Sequence, residues 1–431
     1  MKPVKAIRLL GKDDCKKSLW GRLGPGLITG AADDDPSGIA TYSQVGAGFG
    51  YGILWTAFFT FPLMVGIQTI SARIGRVSGK GLAANIRRHY PAWLLYGIVL
   101  LLLVANTINI AADIGAMGAA LQLLIGGSAH WYAIAFGTIS VLLQVFLPFA
   151  RYAPLLKVLT LALLAYVATL FVVKIPWGEV IYQTLLPSLS LQADYVIAVV
   201  AVFGTTISPY LFFWQASQEV EEQRAAPGEK PLTKAPQQAK AQLQRIKVDT
   251  YIGMGFSNFI AFCIMLTAVV TLHLHGTTDI QTSAQAAQAL RPLAGEFAFV
   301  LFSAGIVGTG LLAVPVLAGS AAYAVAESFK WRMGLGLGLL QARGFYAIVI
   351  IATALGVALN FSHIDPIKAL FWSAVLNGVI AVPIMVVMML MARRADIMGP
   401  FVISRRLVVL GWLATLTMAL VVIAMFATWK S

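Results

Sequence analysis

Residues 24–55 read GPGLITGAADDDPSGIATYSQVGAGFGYGILW. Three consecutive acids, Asp33, Asp34 and Asp35, run directly into Pro36-Ser37-Gly38 inside an otherwise apolar segment. An ionisable side chain at the centre of a bilayer costs roughly 2.5–3.5 kcal/mol on insertion scales, so acids in a spanning segment mark a substrate or ion pathway. The proline and glycine break a helix here and free carbonyls and amides, which membrane depth tolerates only where they line a cavity. The alternative is that the acids sit in a loop between two short interfacial helices.

The rest of the chain supplies a membrane context. Of 431 residues, 59% are hydrophobic and 11% charged, whereas an ordinary soluble domain is about 25% charged. The composition excludes a soluble globule and predicts an all-α polytopic membrane protein. Apolar runs long enough to span, about 17–25 residues each, fall at 24–50 (broken at 33–38), 52–72, 93–124, 130–149, 156–174, 194–217, 248–272, 296–328, 345–361, 366–391 and 407–428, eleven in all. With the N-terminus inside, 27 of the 31 Lys and Arg residues fall on the cytoplasmic side, and only Lys174, Arg291, Lys368 and Lys430 fall opposite. The odd number of spans puts the C-terminus outside. The net charge of +13 then follows from topology, with no nucleic-acid partner needed. Met1 to Arg22 reads as a retained cytoplasmic tail, its Leu9-Leu10 being too short for the apolar core of a signal peptide. Cys15 and Cys263 suggest no disulfide framework. His89, His130, His273, His275 and His363 lie at the ends of apolar runs or between them, so no histidine is expected at a midplane metal site.

A second break, Gly204-Thr205-Thr206-Ile207-Ser208-Pro209-Tyr210, interrupts the sixth span. Five spans separate it from the first, and an odd repeat length inverts the second copy in the membrane. Paired Pro-interrupted helices in two inverted halves point to a transporter's binding site. An ordinary proline kink in a packed helix is the plainer account of the second break alone. The expected organisation is a tail (1–22), a first repeat (23–175), a second repeat (193–392) containing a polar cytoplasmic linker (218–247), and a last helix (405–431).

Asp35 puts formal negative charge where broken helices aim their backbone groups, so the expected substrate is a cation. The donors within reach of the sequence argument are oxygens: the carboxylates of Asp35 and Asp34, the hydroxyls of Ser37 and Ser208, the carbonyls or hydroxyls of Thr205 and Thr206, and Asn377 of the tenth span. Such donors suit Mg, Ca and Mn, whereas softer metals want Cys, Met or His.

The stretch 24–55 resembles the first helix of the Nramp divalent metal transporters, whose motif there is Asp-Pro-Gly-Asn. The resemblance continues through KVDTYIGMGFSNFIAF, LFSAGIVGTGLLAVPVLAGSAAYAVAESFKWR, and DPIKALFWSAVLNGVIAVP followed by ARRADIMGPF. It implies the LeuT-type fold: two inverted five-helix repeats plus one extra helix, with discontinuous first and sixth helices and alternating access around a midplane site. It also implies that Asp35 is the metal ligand. The family's Asn falls on Gly38, and its sixth-helix Ala-x-x-Met-Pro-His reads Thr205-Thr206-Ile207-Ser208-Pro209-Tyr210, so Ser208 stands where a thioether is expected. The site should be harder and roomier, a pattern similar to the Nramp-related magnesium transporters. Neutral drift in a Mn²⁺ carrier is the alternative, because Mn²⁺ also accepts oxygen.

The family's titratable sixth-helix His is Tyr210, and its third-helix acids fall on Asn109 and Ala112. Uncoupled transport of Mg²⁺ or Mn²⁺ is therefore expected, driven by about 4.6 kcal/mol per 100 mV for two charges. Asp113 is either a displaced acid or a packing residue. Asp33 and Asp34 read as the lining of a wide, wet entrance, with Asp34 also a candidate ligand. Asp249 reads as a helix cap, Asn258 as a partner of the unwound sixth helix, and Glu219, Glu221 and Glu222 as a solvated face or as gate contacts to Arg73, Arg87 or Arg88. No resident cofactor is expected, and the partners are the transported ion and the lipid bilayer, with the chain a monomer in the plasma (inner) membrane. Two other readings stay open: a proton-coupled Mn²⁺/Fe²⁺ carrier, and a sodium-coupled carrier of organic solutes on the same fold.

Overall fold

A proline sits at the first position of each helix that follows a break, and this fixes where the two decisive interruptions fall. In the computed structural model, which describes residues 25–147, 158, 161–362 and 365–429, helix α1 (Pro25–Asp33) stops three residues before Pro36, and α2 (Pro36–Phe49) starts on it. The same happens between α9 (Ala193–Thr206) and α10 (Pro209–Ala225). Steric clash with the proline ring drives the preceding residue out of the α region, and both obey: Asp35 has φ −69°, ψ 172° and Ser208 has φ −82°, ψ 132°.

The intervening helices are α3 (Trp55–Ser78), α4 (Leu82–His89), α5 (Ala92–Ile125), α6 (Ala129–Phe146), α7 (Leu164–Val172) and α8 (Trp177–Leu185). After α10 come α11 (Ala239–Thr271), α12 (Ala298–Phe329), α13 (Arg343–Leu359), α14 (Pro366–Ala392) and α15 (Arg405–Thr428), with no strand among the described residues. Eight helical stretches are long and apolar enough to cross a membrane, and two shorter apolar helices, Leu161–Val172 and Arg343–Leu359, accompany them. The tail 1–22, Cys15, His363, Lys430 and the start of the fifth span lie outside the described residues.

The polar segment around 218–247 is more helical than its composition suggests. Helix α10 continues to Ala225 and α11 begins at Ala239, so the connection outside these helices is 226–238. Nor do its acids form a solvated face. Glu219 is fully buried and pairs with Arg245, which also reaches Glu222 at 3.2 Å. Glu221 accepts from the Tyr323 hydroxyl at 2.5 Å and the Leu335 amide at 2.9 Å. The partner is Arg245 of α11, not Arg73, Arg87 or Arg88.

Helix α11 backs the first break along its length. Gly26-x-x-x-Gly30 in α1 is a small-residue face of the kind that brings membrane helices into close contact, and it lies against Asp249 and Gly253, one turn apart on α11. A Cβ at Gly30 would overlap the Gly253 main chain. The Asp249 carboxylate accepts from the Gly26 amide at 2.7 Å. Asp249 therefore lies inside α11, not at its cap, and satisfies an exposed amide at the start of α1 instead. The second break is braced in a comparable way where Gly204 of α9 crosses Gly378 of α14, leaving no room for a side chain.

Candidate ion site

Asp33, Asp34 and Asp35 are 1%, 2% and 2% exposed. They are neither in an interfacial loop nor along a wet entrance: α10 and α11 cover them. Burying carboxylates is costly unless hydrogen bonds or a counter-ion compensate, and here the compensation is specific. Asp35 Oδ1 accepts from the Gly38 amide at 2.7 Å, capping α2. Asp35 Oδ2 accepts from the Tyr210 hydroxyl at 3.1 Å, and the same hydroxyl stands 3.0 Å from the Ala32 carbonyl at the end of α1. Ser257 of α11 donates to Asp33 Oδ2 at 2.5 Å and stands 3.2 Å from Asp34 Oδ1.

Ser208 behaves differently from Asp35 at the matching position. Its hydroxyl turns back to the carbonyls of Gly204 (2.9 Å) and Thr205 (2.7 Å), closing the end of α9. The Thr206 hydroxyl donates to Val202 O at 2.7 Å and meets the Tyr42 hydroxyl at 3.1 Å. The Ser37 hydroxyl points to α14, donating to Leu370 O at 3.0 Å beside Ser373. Asn377 accepts from the Asn109 amide at 2.9 Å, joining α14 to α5. Asp113 of α5 is fully buried, and the Asp35 carboxylate and Ser37 main chain are its charged and polar neighbours.

The expected extra room is not there in this conformation. A Cβ at Gly38 would stand 3.2 Å from Asp33 O, 3.3 Å from Thr205 Oγ1 and 3.4 Å from a Tyr42 ring carbon, so neighbours have closed over the missing side chain. Asn258 also departs from expectation. Its amide donates to Ala57 O at 2.9 Å, because the residue lies on the α3-facing side of α11 and not toward the sixth-span break. Ser257, one residue earlier, is what faces the acids. Its signal in the sequence was the four-residue spacing Asp249, Gly253, Ser257, one helical face directed at α1. Met117, one turn beyond Asp113, was likewise not anticipated: its thioether and the Pro36 ring both border the space above Gly310.

Among the described residues no three His, Cys, Asp and Glu side chains group so as to hold a metal ion. A cation at Asp35 would draw further ligands from neighbouring carboxylates, hydroxyls, carbonyls and water. The opposing helix ends add to this: α2 and α10 present N-termini at the breaks, while α1 and α9 present carbonyls.

Two broken helices meeting at buried oxygen donors inside a helical membrane bundle define a transporter of the LeuT-type architecture. The chain belongs to the Nramp family of divalent metal transporters: the family described as "Natural resistance-associated macrophage protein-like" matches residues 26–428. It is 27% identical over 397 residues to the divalent metal cation transporter MntH of Klebsiella pneumoniae (strain 342), covering 90% of each chain. It is 30% identical over 297 residues to MntH of Pectobacterium carotovorum subsp. carotovorum (strain PC1), covering 67% of this chain and 68% of that one. In fold it is similar to the Eremococcus coleocola manganese transporter, with a TM-score of 0.74 at 18% identity over 97% of this chain and 88% of that one. It is also similar to MhsT in complex with L-phenylalanine, with a TM-score of 0.59 at 11% identity over 93% and 98%. The likeness is to the family as a whole and does not single out one branch.

Proposed function

We propose that this chain carries divalent cations, Mg²⁺ and also Mn²⁺, through a midplane site at Asp35 by alternating access, without coupled proton movement. It is a transporter and not an enzyme. The observation that carries the ion preference is the chemistry at the paired breaks, where Ser208 stands in place of a thioether and the groups around Asp35 are Tyr210, the Gly38 amide and other oxygen-bearing neighbours. Hard oxygen donors suit Mg²⁺, which takes oxygen ligands and dehydrates reluctantly. Relatives named as divalent metal and manganese transporters support the substrate class. Tyr210 in the position where the family resemblance expects His supports the absence of a proton relay, since phenol does not titrate near neutral pH.

In this reading Asp35 is the direct ligand, with Asp34, Ser37, Gly38, Thr205 and Ser208 completing the site through side chains, carbonyls or water. Asp33, Tyr210, Asn109, Asp113, Asn258 and Asn377 surround it. Eleven crossings form two inverted repeats (23–175 and 193–392) and a last helix (405–431), in a monomer of the plasma (inner) membrane with a cytoplasmic N-terminus and the C-terminus outside. The charge distribution supports this orientation.

Purified protein in liposomes, loaded with a Mg-sensitive dye and a separate pH dye, tests the proposal. Mg²⁺ influx without internal acidification, abolished in Asp35→Ala, is expected. Carriage of Mn²⁺ but not Mg²⁺, accompanied by acidification, overturns it in favour of a proton-coupled carrier. Full flux in Asp35→Ala overturns the site.

A further inference from the structure

Helix α5 carries four buried side-chain oxygens without hydrogen-bond partners, and three of them, on Asn109 and Asp113, stand at a four-residue spacing. Asn109 and Asp113 are both fully buried. Neither Asp113 oxygen receives a hydrogen bond of normal geometry, although the Ser37 main chain is nearby, and Asn109 Oδ1 has no partner while its amide is used on Asn377. Residues i and i+4 share a helix face, so these oxygens form one donor strip. That strip meets the first break, since α5 packs against α2 and the Ser37 main chain and Asp35 carboxylate neighbour Asp113. A buried carboxylate beside a second carboxylate is an expensive arrangement to keep for packing alone.

We infer that Asp113 and Asn109 Oδ1 form a second oxygen-donor station for a divalent cation on α5, beside the first break. The inference rests on the proposed cation transport and adds a second carboxylate to it. Two neighbouring carboxylates let a partly hydrated ion be held through its waters, which suits Mg²⁺ better than direct chelation by one flexible pocket. A monovalent ion gains less from the second charge, so the station also favours divalent over monovalent cations.

The test is calorimetric binding of Mg²⁺ and of Mn²⁺ to the purified full chain, with thermal melting measured with and without each ion. Wild type, Asp113→Asn, Asn109→Ala and Asp35→Ala are compared. The near-isosteric Asp113→Asn is expected to melt no lower than wild type without ion, to bind Mg²⁺ at least tenfold more weakly, and to lose most of the ion-induced rise in melting temperature. Asn109→Ala is expected to weaken binding at least threefold, and it decides the matter if Asp113→Asn does not fold. Binding within twofold of wild type in both α5 variants, with Asp35→Ala inactive, overturns this inference and leaves the transport proposal standing. Absence of Mg²⁺ and Mn²⁺ binding in wild type overturns both.

Discussion

The Tyr210 hydroxyl lies 3.1 Å from Asp35 Oδ2 and 3.0 Å from the Ala32 carbonyl, one proton between two acceptors. A phenol has a single proton to donate, so the Tyr210 hydroxyl serves Asp35 and Ala32 with one proton. On the proposed function, a cation at Asp35 would shift that hydrogen bond to Ala32 and couple the helix after the second break to the ligand on the first.

Replacing Tyr210 by Phe strands Asp35 Oδ2. A hydrogen bond to a charged group contributes about 1.5–3 kcal/mol, so Tyr210→Phe should lower the ion-free melting temperature and be rescued by Mg²⁺ more than wild type is. Tyr210→His places a group that titrates between pH 5 and 8 beside Asp35. Its flux should become pH-dependent over that range, where the wild-type flux is flat, as read with the Mg-sensitive dye.

Ser257 is the hydroxyl that serves both Asp33 and Asp34. Ser257→Ala leaves two buried acids without this donor, at a cost of about 1–3 kcal/mol. Thermal melting in detergent should show the loss, and Ser257→Thr should restore it.

At Gly30 any side chain meets the Gly253 main chain. Overpacking costs about 1–3 kcal/mol where neighbours can yield, and two helix backbones yield little. Gly30→Val should give poorly folded protein by size-exclusion chromatography, and Gly30→Ala a smaller loss of melting temperature.

Glu219 is fully buried, and its partner Arg245 is 22% exposed. Removing one member of a fully buried pair costs about 3–5 kcal/mol, and of this part-exposed one less, while replacing both by apolar residues is often nearly neutral. Glu219→Gln should therefore lower the melting temperature sharply, and the double variant Glu219→Leu, Arg245→Met should recover most of it.

In the loop after α14, a bidentate hydrogen bond from Arg394 (2.9 and 2.7 Å) holds the Asp396 carboxyl down at about 2. A lowered carboxyl contributes stability that is present above its unfolded value of about 3.8 and is lost as pH falls toward the folded value. The pair is exposed, so the contribution is small. The difference in melting temperature between wild type and Asp396→Asn should be constant from pH 7 to about 5 and disappear as pH falls from 3.8 toward 2.

Both breaks and the apolar cores of the helices were legible because their causes are local, whereas the polar extensions of α10 to Ala225 and of α11 from Ala239 were not. Apolar length identifies spanning segments, and Asp35-Pro36 and Ser208-Pro209 must leave the α region whatever surrounds them. The Nramp relationship was legible for the same reason, since it rests on runs of contiguous residues. Where a polar side chain points is not local. Asp249 and Asn258 were assigned to a cap and to the sixth span because one sequence does not show which neighbour each helix face meets; packing put them against Gly26 and Ala57. Ser257 gained its role because Gly30 and Gly253 let α1 and α11 approach closely enough for a short hydroxyl to reach two acids. The space expected from Gly38 is filled because Asp33 O, Thr205 and Tyr42 lie against it, a packing arrangement that composition does not encode. The sequence by itself determined that buried acids interrupt a membrane helix. Only the tertiary structure decided which groups compensate them, because in a low-dielectric interior that depends on contacts between residues more than two hundred positions apart.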